Sequence, residues 1–121
     1  MRVLVIDDNE EITEVLRVYC DSRGMECTTI NDGRKGLEAI LDAKFDLILL
    51  DLAMPEFSGV DVVASLKKDG VLDTNNVVIF TASSDAKIIE EMKNSGVKEI
   101  LKKPVSIDEL TSFIDRYNPD V

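Results

Sequence analysis

Residues 3–11 read VLVIDDNEE. Four apolar residues run without a polar break into two adjacent carboxylates. A strand with one wet face alternates apolar and polar residues, so an unbroken run marks a strand covered on both faces. The pattern returns at Leu47–Leu50 (LILL), followed by Asp51, and at Val77–Phe80 (VVIF), followed by Thr81. Glu26–Ile30 and Glu99–Leu101 supply two more β-rich runs. The first of these sits in MECTTI, which alternates and suits a place nearer a sheet edge.

Between these runs the apolar spacing is helical. EEITEVLRVYCDSRG sets Ile12, Val15, Leu16 and Tyr19 on one face and stops at Gly24. GRKGLEAILDAK aligns Leu37, Ile40 and Leu41, and GVDVVASLKK aligns Val60, Val63 and Leu66. DAKIIEEMKNSG offers Ile88, Ile89 and Met92, with Gly96 as a stop. The last helix opens with Ser106 and Glu109, the spacing of a capping box, before Leu110, Phe113, Ile114 and Tyr117. Five strands alternating with five helices predict an α/β protein. It is a doubly wound, five-stranded parallel sheet of (βα)5 type with flavodoxin-like strand order 2-1-3-4-5.

Length and charge bound the function. The chain of 121 residues has the size of one domain, and its 45% hydrophobic content suffices for a core. It holds no apolar run long enough for a membrane span and no secretory leader, so a soluble, cytoplasmic protein is expected. A net charge of −10 disfavours direct nucleic-acid binding and permits divalent cations. Cys20 and Cys27 form no CxxC pair, and the chain has no His, which leaves no zinc or Cys–His site. The two thiols are expected to be reduced.

In a parallel sheet of this kind the functional site lies beyond the carboxyl ends of the strands. There stand Asp7 and Asp8 after the first strand, Asp51 after the third, Thr81 after the fourth and Lys103 with Pro104 after the fifth. Each has an ordinary explanation alone: a helix's acidic first turn, a loop residue, a strand end, a solvated charge. Together on one rim they define a chemistry. Three clustered carboxylates repel unless a hard cation joins them, and Mg²⁺ takes oxygen ligands while also binding phosphate. A carboxylate beside Mg²⁺ and a lysine can attack phosphorus and become an aspartyl phosphate.

VLVIDD, DLILLDLAMPEFSG, VVIFTA and LKKP, in this order and spacing, resemble the receiver domain of two-component response regulators. The resemblance covers essentially the whole chain. It implies that Asp51 is the phosphoacceptor, that Asp8 binds Mg²⁺ directly, and that Asp7 acts mainly through metal-bound water. The Ala53 carbonyl is implied as a third protein ligand. Thr81 and the Ala82 N–H are implied to meet the phosphoryl group, with Lys103 pairing its charge and Pro104 as a cis-proline. Pro55 and Gly59 match the loop after the acceptor, with Gly59 expected to supply a special backbone angle. The resemblance further implies a histidine kinase or phosphotransfer protein as donor. It implies an output face of the fourth helix, fifth strand and fifth helix, acting on a protein target or through a phosphorylation-dependent homodimer. Lys87, Glu91, Lys98 and Asp115 are expected exposed on that face. Residues 1–121 read as a single receiver domain without an effector domain, and not as an enzyme turning over an external metabolite.

Two departures stand out. The family usually places Tyr or Phe three residues before the lysine; here the residue is Ile100, which has no ring to swing. Switching is therefore expected to run through the 81–84 loop and the fourth helix. The positions said to tune phosphate lifetime, Ala53 and Ser83, are both small and uncharged. Other classes fit less well. Phosphatases of the haloacid dehalogenase type carry DxD after the first strand, whereas here the candidate nucleophile follows the third. A flavodoxin-type carrier would need a phosphate loop where DDNEE repels phosphate. GxGxxG and P-loop motifs are missing. A constitutive binding module would have no use for the intact acidic set.

Overall fold

The computed structural model describes residues 1–120. Ten elements alternate: β1 (Arg2–Ile6), α1 (Glu10–Ser22), β2 (Glu26–Ile30), α2 (Gly33–Asp42), β3 (Leu47–Leu50), α3 (Gly59–Lys68), β4 (Val77–Thr81), α4 (Ala86–Lys93), β5 (Glu99–Lys102) and α5 (Ile107–Asp115). All pairings are parallel and the order is β2-β1-β3-β4-β5, as expected, with the alternating β2 at an edge. β4 and β5 each extend one residue beyond the apolar run, because Thr81 and Lys102 pair with each other. None of the described helices is long and apolar enough to cross a membrane.

The period of two along each strand divides the core. Leu4, Ile6, Ile48, Leu50, Val77 and Ile79 point to one face, where Ile40 of α2, Val62, Val63 and Leu66 of α3 and Met92 of α4 cover them. Val3, Val5, Leu47, Leu49, Val78 and Phe80 point to the other, under Leu16 and Cys20 of α1 and Leu110, Phe113 and Ile114 of α5. Both faces of the three central strands are thus dry, which is why their sequences carry no polar alternation. Gly24 and Gly96 lie just past α1 and α4 with positive φ, as the stop signals predicted. Cys20 and Cys27 are free thiols.

Several expectations need correction. Val15 and Leu41, assigned to core faces, are exposed. α1 buries a narrower stripe than its apolar residues suggest, and Thr13 sits in it, its hydroxyl donating to the Glu10 carbonyl. At α5, the Ser106 hydroxyl accepts from the Glu109 N–H, but the Glu109 carboxylate returns to the Ser106 hydroxyl and not to its backbone. The complete reciprocal box occurs instead at α3, between Ser58 and Asp61. Asp115 is half-buried and paired with Arg23 at 2.7 Å, so it belongs to the α1–α5 contact more than to an open face.

Gly59 does not have a positive φ. Its role is space: a Cβ there would collide with the Asp51 carbonyl and the Leu52 backbone. The left-handed residue of this loop is Glu56, with φ 66°. A side chain at such an angle costs roughly 1–2 kcal/mol, partly regained in the unfolded chain relative to glycine. Glu56→Gly is expected to raise stability by up to about 1 kcal/mol, read as a higher urea midpoint with an unchanged slope; a lower midpoint contradicts this account.

Candidate functional site at the carboxyl rim

The backbone hydrogen-bond ladder runs one residue past the strands, and this holds the site in place. The Asp7 N–H donates to the Ile30 carbonyl at 3.0 Å, the Asp51 N–H to Ile6 at 2.9 Å, and the Lys103 N–H to Thr81 at 2.9 Å. Asp7 and Asp51 are thereby level at the ends of the neighbouring strands β1 and β3, and Lys103 is fixed just past the end of β5, with β4 between. Asp7, Asp51 and Thr81 are buried, while Asp8 is exposed. Each of Asp7, Asp8 and Asp51 offers a carboxylate oxygen within 4.8 Å of the others, a hard-oxygen donor set.

Lys103 crosses this cluster. Its Nζ lies 2.5 Å from Asp7 Oδ2 and 3.9 Å from Asp51 Oδ2, and its ammonium sits 5.1 Å from the centre of the Phe80 ring. Lys102 points to solvent, so of the two neighbouring lysines only Lys103 reaches the carboxylates. The Lys103–Pro104 peptide is cis. Ala53, Pro55 and Ala82 are exposed on the loops around the cluster. Ile100 pairs with Ile79 across β4–β5 and packs, half-buried, against the α2–α4 side of the core.

Three supporting residues were not singled out from sequence. Asn9 caps α1, its side chain accepting from Glu11 and Ile12, while its N–H donates to Asp7 Oδ1 at 2.9 Å. Its position before EEI is an N-cap signature in the sequence. Asn31 Nδ2 donates to the Asp7 carbonyl at 2.7 Å and to the Thr13 hydroxyl at 3.1 Å. Neither this contact nor the Phe80–Lys103 stacking has a local sequence signal.

Burial holds the Asp51 carboxyl above the ordinary aspartate range. The Asp7 charge adds to the shift, and Lys103, the Thr81 hydroxyl and the Leu52 N–H oppose it. Repulsion between carboxylates is thus real but second to desolvation. The native state holds this proton more tightly than the unfolded chain does. The stability it contributes is present below the ordinary value of 3.8 and is lost as pH rises through the raised native value. In metal-free protein, Asp51→Asn and wild type are expected to melt at similar temperatures at the acid end. The variant should gain an advantage as pH rises toward neutral. Parallel melting curves at every pH would refute this.

The family model described as "Response regulator receiver domain" matches residues 3–115. The DNA-binding response regulator MtrA of Mycobacterium tuberculosis is 32% identical over 113 residues, 93% of this chain and 48% of MtrA. Sporulation initiation phosphotransferase F of Bacillus subtilis is 29% identical over 119 residues, 98% of this chain and 94% of that protein. The crystal structure of response regulator TrrA from Thermotoga maritima, in complex with Mg²⁺ and BeF, superposes with a TM-score of 0.82 at 26% identity, covering 97% of this chain and 98% of TrrA. The chain spans about half the length of the first curated relatives it matches. With five parallel strands in this order and the acidic cluster at their carboxyl ends, the chain belongs to the response regulator receiver domain family.

Proposed function

We propose that Asp51 is the phosphoacceptor of this receiver, taking a phosphoryl group from the phosphohistidine of a histidine kinase or phosphotransfer protein. The observation that carries the reading is the convergence of Asp7, Asp8, Asp51 and Lys103 at the ends of β1, β3 and β5. The donor set fits a hard divalent cation, since the ligands that Asp7, Asp8 and Asp51 offer are all carboxylate oxygens. Asp7, Asp8, Asp51 and the Ala53 carbonyl would hold Mg²⁺. Bound there, the ion neutralises charge on the transferring group and on the carboxylates around it.

The residues divide the remaining work. An Asp51 carboxylate oxygen forms the new P–O bond while the P–N bond of the phosphohistidine breaks, and the departing imidazole nitrogen keeps the electron pair and takes a proton. Lys103 shifts from Asp7 toward a phosphoryl oxygen, with Phe80 as its platform. The Thr81 hydroxyl and the Ala82 N–H donate to the other oxygens. Asn9 and Asn31 hold Asp7 in place. Water attack on the acyl phosphate later releases inorganic phosphate and restores Asp51, so the domain completes its own cycle without turning over an external metabolite.

Output is then a change of protein contact at α4, β5 and α5, reaching a target protein or a second copy, in the cytoplasm and without direct nucleic-acid binding. With Ile100 in place of an aromatic, the moving parts are the 81–84 loop and α4. Wild-type protein with Mg²⁺ and acetyl phosphate is expected to gain one phosphoryl group per chain, located at Asp51 by mass spectrometry after trapping. No labelling, or labelling elsewhere, overturns the proposal. Lys103 also competes with any cation for Asp7. Lys103→Met is therefore expected to tighten Mg²⁺ binding at least about tenfold, the ~1.4 kcal/mol scale of removing one close positive charge, measured by titration calorimetry, while slowing phosphorylation.

A further inference from the structure

The chain has two cysteines, Cys20 and Cys27, and the phosphoacceptor site uses neither. Cys20 lies near the end of α1 and is buried, whereas Cys27 lies in β2 and is half-buried. The turn between them holds the two elements at a fixed offset. The Cys20 carbonyl accepts from the Arg23 N–H at 3.0 Å and from the Met25 N–H at 2.9 Å. The Gly24 N–H donates to the Asp21 carbonyl at 3.1 Å, and Gly24 has φ 70°. Together these bonds close α1 in a Schellman turn. The Glu26 N–H then donates to the Met1 carbonyl at 2.9 Å, which seats the start of β2 beside β1. Cys27 therefore packs against the core layer that buries Cys20, and the two thiols are hydrogen-bond partners.

The pair is unequal. Its mutual hydrogen bond lowers the Cys20 thiol below the ordinary range, against the effect of burial. The same bond, with burial and the Cys20 charge, raises Cys27. Asp21 opposes ionisation of both, Arg23 favours it at Cys20, and Arg17 favours it at Cys27. Two sulfurs thus share one proton and one negative charge, and a thiolate is the form that reacts with oxidants.

We infer that Cys20 and Cys27 are a dithiol that hydroperoxides oxidise to a reversible disulfide, pinning the edge strand β2 to α1. The shared proton passes to Cys20, and the Cys27 sulfur, in the more exposed residue, attacks the terminal oxygen of the hydroperoxide. The O–O bond breaks and the alkoxide leaves with its electron pair, which gives a sulfenic acid on Cys27. Cys20 then releases the proton, and its thiolate attacks the Cys27 sulfur. The S–O bond breaks and hydroxide leaves. Both thiol protons end on the alkoxide and the hydroxide, as alcohol and water. The sulfurs lose two electrons and the peroxide gains them. Free dithiols reverse the bond by exchange. A disulfide brings the sulfurs to about 2 Å, and the approach falls on β2, the strand at the sheet edge. Cys27 stands level with Val3 at the start of β1, whereas Asp7 follows its other end, so the dithiol and the acidic cluster occupy opposite rims.

The test treats the reduced full chain, dilute and without denaturant, with tert-butyl hydroperoxide. The protein is expected to lose the mass of two hydrogens and both titratable thiols, and dithiothreitol should restore them. Trypsin cuts after Arg17, Arg23 and Arg34, so the bond should appear as peptide 18–23 joined to peptide 24–34. Amides of β2 should exchange with solvent more slowly in the oxidised protein than in the reduced one. Cys20→Ala should stop at a sulfenic acid on Cys27, trapped by dimedone. Cys27→Ala, which leaves the buried thiol alone, should react at least about tenfold more slowly. Asp51→Asn should form the same bond at the same rate, which keeps this result independent of the phosphoacceptor reading. Wild-type mapping needs no variant to fold. Linkage between chains only, oxidation of Cys27 with Cys20 left as a free thiol, a bond that forms only in urea, or no reaction would each overturn the proposal.

Discussion

Asp51→Asn is expected to reduce labelling by acetyl phosphate about a thousandfold or more and to abolish the conformational response to Mg²⁺ with beryllofluoride. The expectation follows from what surrounds the residue. An amide nitrogen has its lone pair delocalised into the carbonyl, so Asn presents no nucleophile. The neighbouring carboxylates do not substitute for it. Asp7 is held by Lys103 at 2.5 Å and by the Asn9 N–H at 2.9 Å, and its backbone carbonyl is fixed by Asn31. Asp8 is exposed at the start of the loop to α1. The size and shape of the side chain are kept, so the loss is chemical and not a failure to fold. The metal-free variant should in fact be the more stable protein near neutral pH, because it removes a carboxyl whose charged form burial disfavours. A variant that labels at the wild-type rate would place the acceptor elsewhere.

Gly59→Ala should lower stability by about 2–4 kcal/mol. The atoms in the way are backbone: the Asp51 carbonyl and the Leu52 Cα. Backbone cannot rotate aside as a side-chain tip can. The Gly59 N–H also donates to the Leu52 carbonyl at 3.0 Å, so the first turn of α3 and the strand end carrying Asp51 are tied together. Forcing them apart should disturb Asp51 and slow its phosphorylation as well. Loss of the α3 cap in Ser58→Ala, about 1 kcal/mol, gives the scale for a change at the same helix end that leaves this close approach intact. Urea denaturation reads both. An unchanged midpoint for Gly59→Ala would mean that the loop relaxes freely and does not hold the acceptor.

The architecture was legible because VLVI, LILL and VVIF have no polar interruption, and only burial on both faces explains such strands. The corrections arise where one type of residue hides another. Val15 and Leu41 fit the helical spacing but lie at the margin of their stripes, whereas Thr13 is polar and buried because its hydroxyl is satisfied within its own helix and by Asn31. Gly59 was legible as a required glycine, but the requirement is close approach and not a backbone angle.

The positions of Asp7, Asp8, Asp51, Thr81 and Lys103 follow from sequence alone, because parallel strands bring all their carboxyl ends to one rim. Which of them touch is a different matter. That Lys103 rests on Asp7 more closely than on Asp51, that Phe80 lies against its ammonium, and that Asn31 reaches back across the β1–β2 edge are decided only in three dimensions. Strand identity is a local property of a few residues, whereas ion-pair choice depends on distances between side chains whose backbones are dozens of residues apart.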